Sequence, residues 1–146
     1  MIAFLRPDAW DFPLFLHVFG ATVLFGSVAT LVLLSFTTQR ITEGAAFAQR
    51  LAFTTLLAVV WPAYVVMRVG AQWIYAKEDL HPDFPAWIAV GVTVGDGGII
   101  LLLVLTVLGW LARRRAWAAS FFAGLSALYL VALGVAWWAM TAKPGA

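Results

Sequence analysis

Two side chains of opposite charge interrupt long apolar runs in this chain. Arg68 lies within the apolar stretch that begins near Leu51, and Asp96 lies within the run from Ala86 to Ala112. A guanidinium or a carboxylate in hydrocarbon is costly unless it meets a partner or water. We therefore expect Arg68 and Asp96 to pair. The pair would serve as a gate, a proton relay or an anion site, or would only fix the register of two helices. Arg68 alone could instead extend towards the lipid headgroups.

Other polar side chains could join this pair. Tyr64, Arg68 and Gln72 recur every four residues, a spacing that places them on one face of a helix. At 1.5 Å per residue, His17 lies about 8 Å, Arg68 about 10 Å and Asp96 about 15 Å from the ends of their segments on one side of the membrane. The sequence therefore predicts a polar, ligand-binding interior in that half of a bundle.

His17 admits three interpretations: a hydrogen bond to a neighbouring helix, a pH-sensitive group beside the ion pair, or a haem ligand. Bis-histidine haem needs a second imidazole at membrane depth, and His81 falls in a polar loop. Haem is the one cofactor that the sequence suggests, and His17 is the one weak candidate for a metal ligand. The acidic loop residues Glu78, Asp79 and Asp83 match no metal-binding spacing.

The composition is that of a membrane protein. Of 146 residues, 64% are hydrophobic and 11% are charged, and the mean hydropathy is +0.95, whereas soluble domains are about a quarter charged. The absence of cysteine excludes thiol chemistry, and the net charge of +2 is too small and scattered for nucleic-acid binding. Nothing resembles a nucleophile motif, a phosphate loop or a pair of catalytic carboxylates, so the composition and motifs do not favour an enzyme.

Four apolar segments are long enough to cross a bilayer, which takes about 20 residues. They cover about 12–37, 51–75, 86–112 and 116–141. We expect a single all-α transmembrane domain over 1–146, an antiparallel four-helix bundle in which Pro62 kinks the second helix. The first segment exceeds the apolar core of a signal peptide, about 7–15 residues, and is expected to remain as a helix.

The arginines set the predicted orientation. The first and third connections contain five of them and only one acid, Glu43; the five are Arg40, Arg50, Arg113, Arg114 and Arg115. Because positive charge favours the cytoplasmic side, we expect these connections in the cytoplasm and both termini outside.

Small residues predict where helices meet. Gly91 and Gly95 form a G-x-x-x-G with Gly98 one turn on, and Ser120 and Gly124 form a second small-residue pair. In lipid such residues allow another backbone to approach closely, so Asp96 is expected at a helix crossing. The same faces could hold a homo-oligomer or a larger membrane complex together.

The first segment contains Leu16-His17-Val18-Phe19-Gly20-Ala21 followed by Phe25-Gly26-Ser27. This resembles the first-helix pattern of small bacterial four-helix membrane proteins of unknown function, which are loosely similar to the copper-resistance D membrane domain. The resemblance covers about one helix. It implies a four-helix bundle in the bacterial inner membrane with His17 inside it, and metal-linked or redox-linked transport. The chain has three methionines and no cysteine, so it lacks the soft-ligand clusters that copper handling uses.

Three functions follow as hypotheses. The leading one is a small membrane protein that binds or passes a small ion, a proton or a polar molecule at Arg68, Asp96 and His17, alone or as a subunit of a larger complex. The second is a redox or haem-binding membrane subunit that uses His17. The third is a purely structural accessory subunit.

Overall fold

The computed structural model describes residues 11–78 and 85–143, and these are helical apart from short turns. The helices are α1 (Asp11–Thr38), α2 (Ala45–Thr55), α3 (Trp61–Glu78), α4 (Ala86–Ala112) and α5 (Ala116–Ala142). A π-helical turn, Leu56–Val60, joins α2 to α3. Four helical stretches, Asp11–Thr38, Ala45–Ala76, Ala86–Ala112 and Ala116–Ala142, are long and apolar enough to cross a membrane. Over the described residues, the predicted all-α architecture with four helices of membrane-spanning length is confirmed.

The second span begins at Ala45 and not near Leu51 as predicted. Gly44 precedes it with φ 76°, a left-handed conformation that glycine adopts readily. The polar residues Gln49 and Arg50 suggested a loop, but alanines favour helix here. Gln49 is also buried, and the Thr38 hydroxyl lies 3.5 Å from its side-chain oxygen. Tertiary burial of one polar side chain therefore extends the helix beyond its apolar part.

The distortion expected at Pro62 takes the form of the π-helical turn directly before it. Proline has no N–H, and its ring collides with the carbonyl four residues earlier, here that of Ala58. A π turn shifts the hydrogen-bond register by one residue, and such turns usually occur as single insertions within α-helices. The chain therefore stays helical from α2 through α3, and the π turn changes the hydrogen-bond register just before Pro62.

Neighbouring helices run in opposite directions. The His17 side chain near the start of α1 reaches Met67 on α3. Near the end of α5, the Lys143 ammonium lies 5.3 Å from the ring centre of Trp87 at the start of α4. The close helix pairs are α1 with α3, α4 with α5, and α1 with α5. The fully buried core lies between them and consists largely of aliphatic residues with two large aromatics: Leu24, Val28, Leu31, Leu56, Val60, Leu102, Leu105, Phe122 and Tyr129.

The outer faces of the helices remain apolar. Leu33 is 70% exposed and Ile100 is 66% exposed, and many other large apolar side chains also point outward. Water-soluble proteins seldom expose contiguous apolar surface of this extent. Hydrocarbon solvates such faces, so the surface agrees with a lipid bilayer as the surroundings of the bundle.

The backbones of two helices approach closely where α1 crosses α3. A Cβ atom added to Gly20 would lie 2.5 Å from the backbone nitrogen of Met67. One added to Gly70 would lie 2.5 Å from the backbone nitrogen of His17. Reciprocal glycines therefore bring the two backbones into contact, as small residues do between membrane helices.

This crossing predicts that Gly70→Ala destabilises the protein by about 1–3 kcal/mol, because the new methyl group meets backbone that cannot rotate away. Gly26→Ala on α1 is the matched control, since no atom lies within 4 Å of that Cβ position. Thermal unfolding in detergent measures both. Equal melting temperatures for the two variants would contradict the close crossing.

Candidate functional site

Arg68 and Asp96 contact each other across α3 and α4. An Nη2–H of Arg68 donates to Oδ1 of Asp96. At 1.5 Å per residue, Arg68 lies about 15 Å from Glu78 and Asp96 about 15 Å from Ala86. Their depths match because α3 continues three residues beyond the Tyr75 at which we expected it to end. The structure thus brings the two predicted charged residues together.

The pair lies at the edge of the bundle. The side chain of Arg68 is 23% exposed and that of Asp96 is 57% exposed. The backbones of α3 and α4 are not among the closely packed helix pairs, so side chains bridge the seam between these helices. The structure therefore does not place Asp96 at a close crossing of α3 and α4, because α3 packs on α1 and α4 packs on α5. One side of the carboxylate remains open.

Tyr64 and Gly95 support the pair from within the bundle. The hydroxyl of Tyr64, which is 4% exposed, donates to the carbonyl oxygen of Gly95 at 2.7 Å. A Cβ atom at Gly95 would lie 3.1 Å from Nη1 of Arg68, so the missing side chain makes room for the guanidinium. Tyr64 and Arg68 lie one turn apart on α3, and together they hold the backbone and side chain of α4 at Gly95 and Asp96.

Gly98 and Gly91 of α4 also have side chains packed against them. A Cβ atom at Gly98 would lie 2.8 Å from the hydroxyl oxygen of Tyr129 and 3.1 Å from a ring carbon of Tyr64. At Gly91 it would overlap the end of the Met140 side chain. We expected these glycines to admit another backbone. They instead accommodate large side chains from α3 and α5, because tyrosine, arginine and methionine fill the space between the helices.

His17 makes the interhelical hydrogen bond that was one of its three interpretations. Its Nδ1 lies 3.1 Å from the carbonyl oxygen of Met67. A carbonyl only accepts, so Nδ1 carries the hydrogen of this bond. Among the described residues no group of three or more His, Asp or Glu could hold a metal ion. The haem hypothesis stays a prediction, and His81, Asp79 and Asp83 lie outside the described residues.

Gln72, Ser120 and Gly124 do not join the site. Gln72 is exposed on α3, beyond the ion pair. Ser120 is exposed on α5, and no atom lies within 4 Å of a Cβ position on Gly124. The Ser120/Gly124 pair is therefore not a packing motif within the bundle, because this face of α5 points away from the other described helices.

Sequence reasoning missed two links between helices. Gly70 provides half of the α1–α3 crossing, and the indole N–H of Trp61 donates to the hydroxyl of Thr106 at 3.0 Å, which joins α3 to α4. A glycine inside an apolar membrane helix is a usable signal for the first. Nothing in the sequence pairs Trp61 with Thr106, because that contact depends on which faces of two helices turn together.

The fold and the site define the class of this protein. Over the described residues it is all-helical, with four helices of membrane-spanning length and an ion pair between two of them. Comparisons of the chain with protein-family models, with curated proteins and with solved structures find no match. The resemblance of the first helix to the copper-resistance D domain stays a prediction.

The two buried tyrosines provide a matched test of the site. Tyr64→Phe should lower the free energy of unfolding by about 1 kcal/mol, because it removes the hydrogen bond to Gly95. Tyr129→Phe should cost little, because the hydroxyl of Tyr129 has no hydrogen-bond partner among the described residues. Denaturant unfolding in mixed micelles compares the two. A larger loss for Tyr129→Phe would contradict the arrangement around Gly95.

Proposed function

We propose that this protein binds or passes a proton, a small ion or a small polar molecule at the Arg68–Asp96 pair. The supporting observation is the exposure of the carboxylate: Asp96 is 57% exposed although it is paired. Arg68 occupies Oδ1, and Oδ2 has no hydrogen-bond partner among the described residues. A carboxylate oxygen at this depth needs a counterpart, and a proton or a small cation provides one.

The orientation belongs to the same proposal. The five arginines of the first and third connections favour a cytoplasmic position for these turns, with both termini outside. In a bacterial inner membrane the ion pair would then lie in the outer half of the bundle. It would be reached from the side, through the seam between α3 and α4.

At this seam a proton and the guanidinium of Arg68 compete for the carboxylate of Asp96. A proton added to Oδ2 neutralises the carboxyl group and weakens its attraction to Arg68. The arginine stem is long enough to carry the guanidinium towards the outer headgroups, where water solvates it. Loss of the proton restores the pair. Tyr64, anchored on the Gly95 carbonyl, keeps the two helices together while the arginine moves.

Asp96→Asn, Arg68→Gln and the double variant test this proposal. Each single change leaves one charge unpaired and should destabilise the protein. The cost should stay below the 3–5 kcal/mol or so of a fully buried pair, because Asp96 is largely exposed. The double variant should recover stability. Proton or cation flux into proteoliposomes should fall in all three and should not recover in the double variant.

Asp11→Asn is the control for this series. Asp11 is exposed at the start of α1, at the same end of the bundle as the pair, so its loss should change neither stability nor flux. If unfolding follows the predicted order but flux stays at the wild-type level in every variant, the pair only fixes helix register and the transport proposal fails.

An accessory subunit is the second candidate function, supported by the open face around Gly124 on α5. Because the chain has no cysteine, a single introduced thiol reports cleanly on neighbours. Gly124→Cys in native membranes should give an oxidative homodimer or a thiol-specific crosslink to a partner. Thr30→Cys, on an exposed position of α1, should give neither. Equal crosslinking at both positions would indicate random collisions and would contradict this candidate.

A further inference from the structure

A second polar site lies at the opposite end of the bundle from the ion pair. A cleft of about 600 Å³ opens between the end of α1, the start of α2 and the turn that joins α4 to α5. Its polar lining consists of two hydroxyl residues, amide side chains and three arginines, among them Thr38, Gln49, Arg50, Arg113, Arg114 and Ser120. No carboxylate lines the cleft, so its lining carries a net positive charge.

The three arginines have no anionic partner in the described part of the chain. The one ion pair recorded over 11–78 and 85–143 is that of Arg68 with Asp96, far from this end. Glu43 is the one acid in the two connections here, and it does not line the cleft. Three arginines from two separate parts of the chain thus line one cleft without a counter-charge: Arg50 on α2, and Arg113 and Arg114 after α4.

Gln49 adds a buried donor to the same space. Gln49 is 7% exposed, and its side-chain oxygen lies 3.5 Å from the hydroxyl oxygen of Thr38. Its Nε2 is buried and has no hydrogen-bond partner among the described residues. Buried amide donors are almost always satisfied in folded proteins. Because Gln49 lines the cleft, an acceptor bound there is a partner that a small rotation of this amide would reach.

We propose that this cleft binds a phosphate group that carries net negative charge. Guanidinium groups bind phosphate oxygens through paired N–H donors, and the amide of Gln49 adds a neutral donor. The volume accommodates a phosphate together with its substituents. This inference does not depend on the function proposed for Arg68 and Asp96, which lie in the other half of the bundle.

Two sources supply such a group: the headgroup of an anionic lipid and free inorganic phosphate. Trp110 lines the cleft and is 55% exposed, and exposed tryptophan is typical of the headgroup region of a bilayer. Basic pockets between membrane helices on the cytoplasmic side recognise anionic headgroups. The cleft offers the same donors to a lipid headgroup and to free phosphate, so the experiment has to distinguish these two ligands.

The full chain in detergent is titrated with phosphatidylglycerol, with phosphatidylcholine and with inorganic phosphate, and binding is followed by native mass spectrometry and by thermal unfolding. We expect phosphatidylglycerol or inorganic phosphate to raise the melting temperature and phosphatidylcholine to have little effect. Stabilisation by phosphatidylglycerol alone assigns the site to lipid, and stabilisation by inorganic phosphate alone assigns it to a soluble ligand.

Variants locate the binding. Arg50→Gln combined with Arg113→Gln should weaken binding at least tenfold, and Gln49→Met, which keeps the length of the side chain but removes the donor, should weaken it several-fold. Arg50→Gln alone should also weaken binding. Arg115→Gln is its control, because it removes one equal charge just outside the cleft and should leave affinity unchanged. Melting temperatures without ligand report whether each variant folds.

Two results would overturn the proposal. In the first, neither phosphatidylglycerol nor inorganic phosphate binds more tightly than phosphatidylcholine. In the second, Arg115→Gln weakens binding as much as a single Arg50→Gln, which would show a diffuse attraction to the positively charged end of the bundle and no site.

Discussion

Hydrocarbon does not solvate an isolated charge, and this constraint shapes the seam between α3 and α4. These two helices lack the close backbone packing found between α1 and α3 and between α4 and α5. Arg68 and Asp96 bridge the seam. Tyr64 adds a hydrogen bond to Gly95 beside the pair, and Trp61 adds one to Thr106 further along α4. Polar contacts therefore hold the seam together, whereas apolar packing holds most of the rest of the bundle together.

The two kinds of contact differ in how they respond to motion. At the α1–α3 crossing, Gly20 and Gly70 bring backbone against backbone, and the interlocked surfaces leave no freedom for a shift. At the seam, long side chains hold the helices, and an arginine can change rotamer without moving a backbone. The α1–α3 crossing is therefore rigid, whereas side chains at the α3–α4 seam can move and bind or release a ligand. This is the physical basis for the function that we propose at Asp96, whose carboxylate keeps one open side.

Much of the fold follows from hydropathy. Three of the four spans begin and end within a residue of their predicted limits, because hydrocarbon thickness and the rise per residue of a helix fix the length of an apolar run. The exception is the second span, in which the buried Gln49 extends the helix back to Ala45. The distortion at Pro62 was also predictable, since it follows from the missing N–H of proline. Its form, a π-helical turn, was not.

The sequence by itself determined that this protein has four helices of membrane-spanning length and predicted that Arg68 pairs with Asp96, since both conclusions depend on the cost of placing polar groups in hydrocarbon. Only the tertiary structure decided which way helix faces turn. It placed Asp96 at an open edge, set tyrosines and methionine against the α4 glycines, and left Gly124 facing outward. It also gathered Arg50, Arg113 and the unsatisfied amide of Gln49 around one cleft. The rotation of one helix against the next arises from many small contacts between distant residues, and no local pattern of residue types encodes it.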